Sequence, residues 1–244
     1  MKAHKKYMQQ TIKLLESIAE SQDAAIEEGA AHLADCLANG HRIYTFGTGH
    51  GHLLALEVFY RAGGPVNLCP ILDERLMLHI SASKSTAWER NEEIAESLLK
   101  DYPMAAGDML IAISNSGRNA VPVLLSDMAR ARGVYVIALT SMAHSNQVTP
   151  RNSLGKRLFE VADLILDNGG VLGDASVCTK RGHMIGATST VSGAALLQAM
   201  LCRAEELASE RGQTLDFYAS SNIDGGDEIN QRYLDKYIGS IKGL

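Results

Sequence analysis

The sequence predicts an α/β fold, a five-stranded parallel sheet with helices on both faces. Three observations carry this reading. Short, nearly all-apolar runs recur along the chain, as strands buried on both faces do. Segments of helical periodicity alternate with those runs. Glycine- or hydroxyl-rich turns follow two of the runs, at the strand end where open α/β sheets hold ligands.

The elements follow in order. Residues 4–20 carry Tyr7, Met8, Ile12, Leu15 and Ile18 at helical spacing. A second helix, residues 22–38, sets Ala25, Ile26, Gly29, Leu33 and Leu37 on one face, and Asn39-Gly40 ends it as a C-cap does. This helix pair precedes the first strand, so it packs on the sheet or on a partner subunit. The first strand is 42–46, followed by the turn Gly47-Thr48-Gly49-His50-Gly51 and a helix over 52–61. Residues 66–69 read as the second strand. Residues 71–88 read as a loop or short helix, and 89–99 as a polar amphipathic helix. The third strand is 108–113. A helix over 121–132 is stopped by Gly133, and 134–139 and 163–166 are the fourth and fifth strands. Residues 189–211 form a long helix, and a final helix closes the tail. The expected organisation is one domain over 1–244, with a helix pair at 1–40, a core at 41–211 and a helical tail at 212–244.

Composition excludes several function classes. The net charge is -5 and the signs are mixed along the chain, which disfavours nucleic acid. Aromatics are 5% with a single Trp88, so no base-stacking platform is indicated. Cys36, Cys69, Cys178 and Cys202 lack metal or disulfide spacing. No signal peptide is recognised, and the apolar stretches are shorter than a membrane span. The expectation is a cytoplasmic protein with no membrane contact, no metal and no cofactor. Asp224-Gly225-Gly226-Asp227-Glu228 lacks the alternating ligands of a calcium loop.

Three segments carry chemistry. In Ile113-Ser114-Asn115-Ser116-Gly117-Arg118-Asn119 a strand runs into a hydroxyl-rich turn that opens a helix. Backbone N–H groups and serine hydroxyls converge there, where the helix dipole favours negative charge. One hydroxyl suffices for a cap, and two serines beside two asparagines point to a phosphate cradle. The glycines of the 47–51 turn allow close backbone approach to a ligand, although a tight turn alone would also use them. The dinucleotide pattern GxGxxG would need glycine where His52 stands. Thr188-Ser189-Thr190 opens the long helix with more hydroxyls than a cap requires, for phosphate or sugar. No GxxxxGK[ST] P-loop is present.

Together, FGTGHGH, AISNSGRN and GATSTVSGA resemble, in that order, the sugar isomerase (SIS) domain, over roughly residues 40–205. The tail ASSNIDGGDEIN is similar to that of a bacterial group of SIS proteins labelled phosphoheptose isomerases. The resemblance implies a flavodoxin-like three-layer sandwich, a phosphorylated sugar as ligand, and a homodimer or homotetramer. By position it implies that Ser114, Asn115, Ser116, Gly117 and Asn119 hold phosphate, helped by Thr188, Ser189 and Thr190, with Gly49 and Gly51 lining the sugar. The chain departs from the family in three places. Gly51 stands where many SIS isomerases have serine. Arg61 stands near the place of the phosphoheptose isomerase glutamate. No histidine matches theirs on the last helix.

Aldose–ketose isomerisation needs a base to move a proton between neighbouring carbons and a donor for the oxygens. Glu57 and Glu74 are the base candidates. His50, His79, His52 and His183 are the acid candidates. Each has a plainer reading as a helix-surface carboxylate or a hydrogen-bonded structural histidine. Asp174, Lys180, Arg181 and His183 fall in a polar loop that closes over the ligand, reaches a neighbouring subunit or is plain surface. The functional expectation is a sugar-phosphate isomerase. A phosphosugar sensor without catalysis and a sugar-phosphate etherase or lyase are the alternatives.

Overall fold

Strands β1 (Ile43–Gly47), β2 (Leu68–Ile71), β3 (Met109–Ile113), β4 (Tyr135–Thr140) and β5 (Leu164–Asp167) pair in parallel in the order β2-β1-β3-β4-β5. The computed structural model describes all 244 residues. Every residue of β1, β2 and β3 is buried, as a sheet covered on both faces requires. The register sets Ile43 beside Leu68 and Met109, and Met109 beside Tyr135.

The helices are α1 (Ala3–Ser21), α2 (Asp23–Ala38), α3 (Gly51–Glu57), α4 (Leu78–Trp88), α5 (Glu93–Asp101), α6 (Ala120–Arg130), α7 (Met142–Ser145), α8 (Ser189–Glu210) and α9 (Gly226–Tyr237). Strand side chains alternate between two cores. On one face Ile43, Ile111, Ile137 and Leu166 pack under Leu33 of α2, Leu54 of α3 and Leu197 of α8. On the other, Tyr44, Phe46, Leu110 and Val136 meet Ile94 and Leu98 of α5 and Val121 and Leu125 of α6. The chain thus forms the expected three-layer α/β sandwich. No helix is long and apolar enough to cross a membrane.

Several elements differ from expectation. Strands β1 to β5 each begin one or two residues later. The helix after β1 stops at Glu57, and Tyr60 beyond it takes a left-handed φ of 42°. Residues 71–88 form a 3-10 turn, Glu74–Leu76, and then α4, which an extended Ser81 divides. The helix expected from 89 starts at Glu93, where Asn91 Oδ1 accepts the Glu93 N–H at 3.1 Å. The loop expected near 180 is an antiparallel ribbon of β6 (Ala175–Cys178) and β7 (Met184–Ala187). The N-terminal helix pair packs on its own chain, α2 against α8 and the sheet, and α1 through Ile18 and the Tyr7 hydroxyl, which donates to Ala187 O at 2.8 Å. The tail folds back to the far end of the sheet, where Phe217 pairs with Pro65 and Arg42 Nη1 donates to Ser240 O at 3.0 Å.

The strand order reverses between β1, from which the chain turns to β2, and β3. That switch point opens a crevice beyond the carboxyl ends of the strands, and both motif-bearing turns lie in it.

Candidate functional site

A cavity of about 500 Å³ lies at this crevice. Its first wall is the turn after β1. A Cβ on Gly47 would fall 2.3 Å from the Gly51 carbonyl carbon, and one on Gly51 would fall 2.9 Å from Ile113 O. The turn therefore folds tightly on itself and against the end of β3, and Gly51 fills a place where no side chain fits without movement. Gly49, at φ 55°, faces more open space.

The second wall is the turn after β3. Ser114 Oγ accepts the Gly117 N–H at 3.2 Å, and Gly117 takes φ 57°. This ties the turn into a loop around its own hydroxyl. The Asn115 carbonyl accepts from Ser141 N at 3.2 Å. The Asn115 side chain is held by a relay: Gly170 N donates to Asn168 Oδ1, and Asn168 Nδ2 donates to Asn115 Oδ1, each at 2.9 Å. With its oxygen fixed, Asn115 has its amide N–H groups left to give. Asn119 is the N-cap residue of α6 but makes no side-chain cap bond, and its buried Oδ1 has no partner. Ser116 lines the cavity between them.

The third wall is the start of α8, and here a carboxylate of the chain itself is seated. Asp174 Oδ1 accepts from Thr188 N at 3.0 Å and Ser189 N at 2.9 Å, and Oδ2 accepts from Ser189 Oγ at 2.6 Å. Asp174 holds this place in the left-handed region, at φ 66°.

A glutamate completes the site. Glu89 sits in the turn between α4 and α5, with its Oε1 accepting from Thr48 Oγ1 at 2.6 Å. Its carbonyl accepts from Val121 N at 3.1 Å, which pins the turn to α6. Burial raises its pKa above the usual carboxylate range, while hydrogen bonds from Thr48 and Asn119 and the charge of Arg90 oppose that rise. His144 of α7 also lines the cavity. Burial lowers its pKa, Asp174 opposes, and its buried Nδ1 has no partner. The lining holds two carboxylates, Glu89 and Asp174, and no lysine or arginine. An anion here would be held by hydroxyls and N–H dipoles.

The residues singled out from sequence divide clearly. Gly49, His50, Gly51, Ser114, Asn115, Ser116, Asn119, Ser189 and Thr190 all line the cavity. Gly117, whose N–H is bonded to Ser114 Oγ, and Thr188, buried at the helix start, stand outside the lining. Glu57, Glu74 and His79 stand outside the lining. Glu57 is paired with Arg61 and accepts from Gln198 at 3.4 Å, because α3 turns that face toward α8. Glu74 is exposed on the 3-10 turn. His79 is exposed, with its ring 6.0 Å from that of His52. His52 is buried with Nδ1 2.8 Å from Gly49 O, and His183 is exposed on the ribbon. Of the acid/base candidates Glu57, Glu74, His50 and His79, only His50 lines the cavity, where the other titratable side chains are Glu89, His144 and Asp174.

Sequence reasoning missed Glu89, His144 and Asn168. A signal existed for Glu89: Glu-Arg-Asn-Glu carries an asparagine that opens helices, which marks residue 89 as turn rather than helix.

The SIS domain pattern matches residues 6–141, over half of the chain. The chain is 39% identical to a UPF0309 protein of Listeria innocua, over 95% of this chain and 94% of that one. It is 40% identical to a UPF0309 protein of Halalkalibacterium halodurans, over 93% and 94%. Among solved structures it is similar to a phosphoheptose isomerase of Francisella tularensis, with TM-score 0.56 and 16% identity over 84% of this chain and 100% of that one. It is also similar to the Vibrio vulnificus NanR protein complexed with ManNAc-6P, with TM-score 0.52 and 15% identity over 99% and 71%. At these identities the structures show a shared fold. The family pattern over more than half of the chain shows that the chain belongs to the SIS domain family.

Proposed function

We propose that this protein binds a phosphorylated sugar in the cavity and isomerises it between aldose and ketose forms, with Glu89 as the base. The observation that carries the reading is the placement of Glu89, a half-buried carboxylate facing the same cavity as the Ser114–Asn119 turn.

The phosphate sits on the second wall. Ser116 and the Asn115 amide supply donors, and the dipole of α6 supplies positive potential. The sugar then lies toward Gly49, Gly51 and α8. Glu89 removes a proton from the carbon beside the carbonyl, which leaves an enediolate. The same proton returns to the neighbouring carbon, while a proton passes between the two oxygens. No electrons leave the substrate. A pKa raised by burial makes Glu89 a stronger base, and Thr48 keeps its ionised form accessible. His50 and His144 are the donors available for the oxygens. The Vibrio vulnificus neighbour's complex with ManNAc-6P supports the ligand class. A homodimer or homotetramer is part of the proposal.

A thermal-shift screen of inorganic phosphate and sugar phosphates tests the ligand. A sugar phosphate raises Tm in the native protein, and Ser116→Ala abolishes most of the rise. If Ser116→Ala keeps the full rise, the phosphate is held elsewhere.

A further inference from the structure

The three hydrogen bonds of Asp174 change the meaning of the hydroxyl-rich start of α8. Thr188 N, Ser189 N and Ser189 Oγ are the donors that a phosphate at this helix would use, and the Asp174 carboxylate already accepts all three. Two anions do not share one helix end at contact distance without strong repulsion, and the lining offers no lysine or arginine to offset it. Asp174 holds its place at φ 66°, a conformation that residues other than glycine, asparagine and aspartate rarely take. Its carboxylate is therefore held by bonds rather than swinging with the ribbon.

An ionised carboxylate offers about four acceptor positions. Oδ1 uses two, for Thr188 N and Ser189 N, and Oδ2 uses one, for Ser189 Oγ. Asp174 lines the cavity, so the spare position on Oδ2 is available there. Neutral donors fit it best, and a sugar carries hydroxyls at the end remote from its phosphate. Thr190 stands beside it in the lining and adds a second hydroxyl.

We infer that Asp174 is a specificity-determining residue that accepts a hydrogen bond from a sugar hydroxyl, and that α8 reads the sugar while the phosphate stays on the Ser114–Asn119 turn. This rests on the phosphosugar reading above. It divides the cavity into a phosphate end after β3 and a hydroxyl end at β6 and α8. The substrate class is then a polyhydroxylated phosphosugar whose chain spans both, as opposed to a small phosphate ester that fills only the first.

Two variants test it. Asp174→Asn keeps an oxygen for Thr188 N and Ser189 N and suits the left-handed backbone, but turns the spare acceptor into a donor. Asp174→Gly suits the backbone and removes the carboxylate. Calorimetric titration of native protein and both variants uses inorganic phosphate, ribose 5-phosphate, glucose 6-phosphate and N-acetylglucosamine 6-phosphate. The expected result is a loss of about tenfold or more in affinity for the best sugar phosphate, with the Kd for inorganic phosphate within about twofold of native in both variants. Tighter inorganic phosphate binding in Asp174→Gly would overturn the inference, because the carboxylate would then be standing in for phosphate. Unchanged sugar phosphate affinity in both variants would also overturn it. If native protein binds none of the sugar phosphates, the phosphosugar reading itself fails, which is a distinguishable outcome.

Discussion

Thr48 Oγ1 donates to Glu89 Oε1 at 2.6 Å, which joins the turn after β1 to a residue 41 positions further along the chain. The bond fixes one carboxylate oxygen of a group that lines the cavity. It also offsets part of the cost that burial places on the charged form.

Replacing Thr48 with valine keeps the shape of the side chain and removes this donor. The ionised Glu89 then loses support, so its pKa rises further. The acidic limb of a pH–rate profile should move up by about one pH unit. An unmoved limb would mean that the bond does not tune the base.

Glu89 also links stability to pH. Its folded pKa lies above its unfolded value, so the stability it lends is present below the unfolded pKa and is lost as pH rises through the folded one. Glu89→Gln stays neutral throughout. Relative to native protein its Tm should therefore improve between pH 4 and pH 7, at about 2–4 °C per kcal/mol for a chain of this size. Parallel melting curves at the two pH values check this.

His144 has the opposite sign. Burial depresses its pKa, so the stability it lends is present above the ordinary histidine value and is lost as pH falls through the folded one. Proton NMR should show the His144 ring titrating below the usual histidine range. His144→Gln should flatten the loss of stability on acidification.

Gly51→Ser would restore the residue that many SIS isomerases carry at the end of the first turn. Here its Cβ would meet Ile113 O at 2.9 Å, a backbone atom that cannot swing aside. The variant should lose about 1–3 kcal/mol of stability by chemical denaturation, as overpacked sites do. It should also bind sugar phosphate more weakly. A variant as stable as native would show that the turn relaxes freely.

Much of this was legible in the sequence. The parallel sheet followed from buried apolar runs. Both ligand-facing turns followed from glycine and hydroxyl placement at strand ends, because those residues answer local backbone demands. The carboxylates that line the cavity were not legible as such. Ile94, Ala95, Leu98 and Leu99 are periodic, and that period extended backward makes Glu89 the first residue of a helix, whereas 89–92 form a turn. Helix α4 escaped because Ser81 breaks it and its apolar residues share no face. The seat of Asp174 depends on how an antiparallel ribbon returns to α8, a tertiary fact that local periodicity does not encode. Glu57 and Glu74 are base candidates by residue type, but the fold decides which carboxylate faces a cavity.

As the proposed base, Glu89 moves a proton on a bound phosphosugar. The most direct measurement is deuterium exchange in D2O, followed by NMR, on the sugar phosphate that the native protein binds best. Native protein should exchange the hydrogen on the carbon beside the carbonyl. Glu89→Gln should bind the same ligand within a few-fold and exchange it at least about 100-fold more slowly. Exchange at the native rate in Glu89→Gln would rule out Glu89 as the base, and binding without exchange in the native protein would rule out isomerisation.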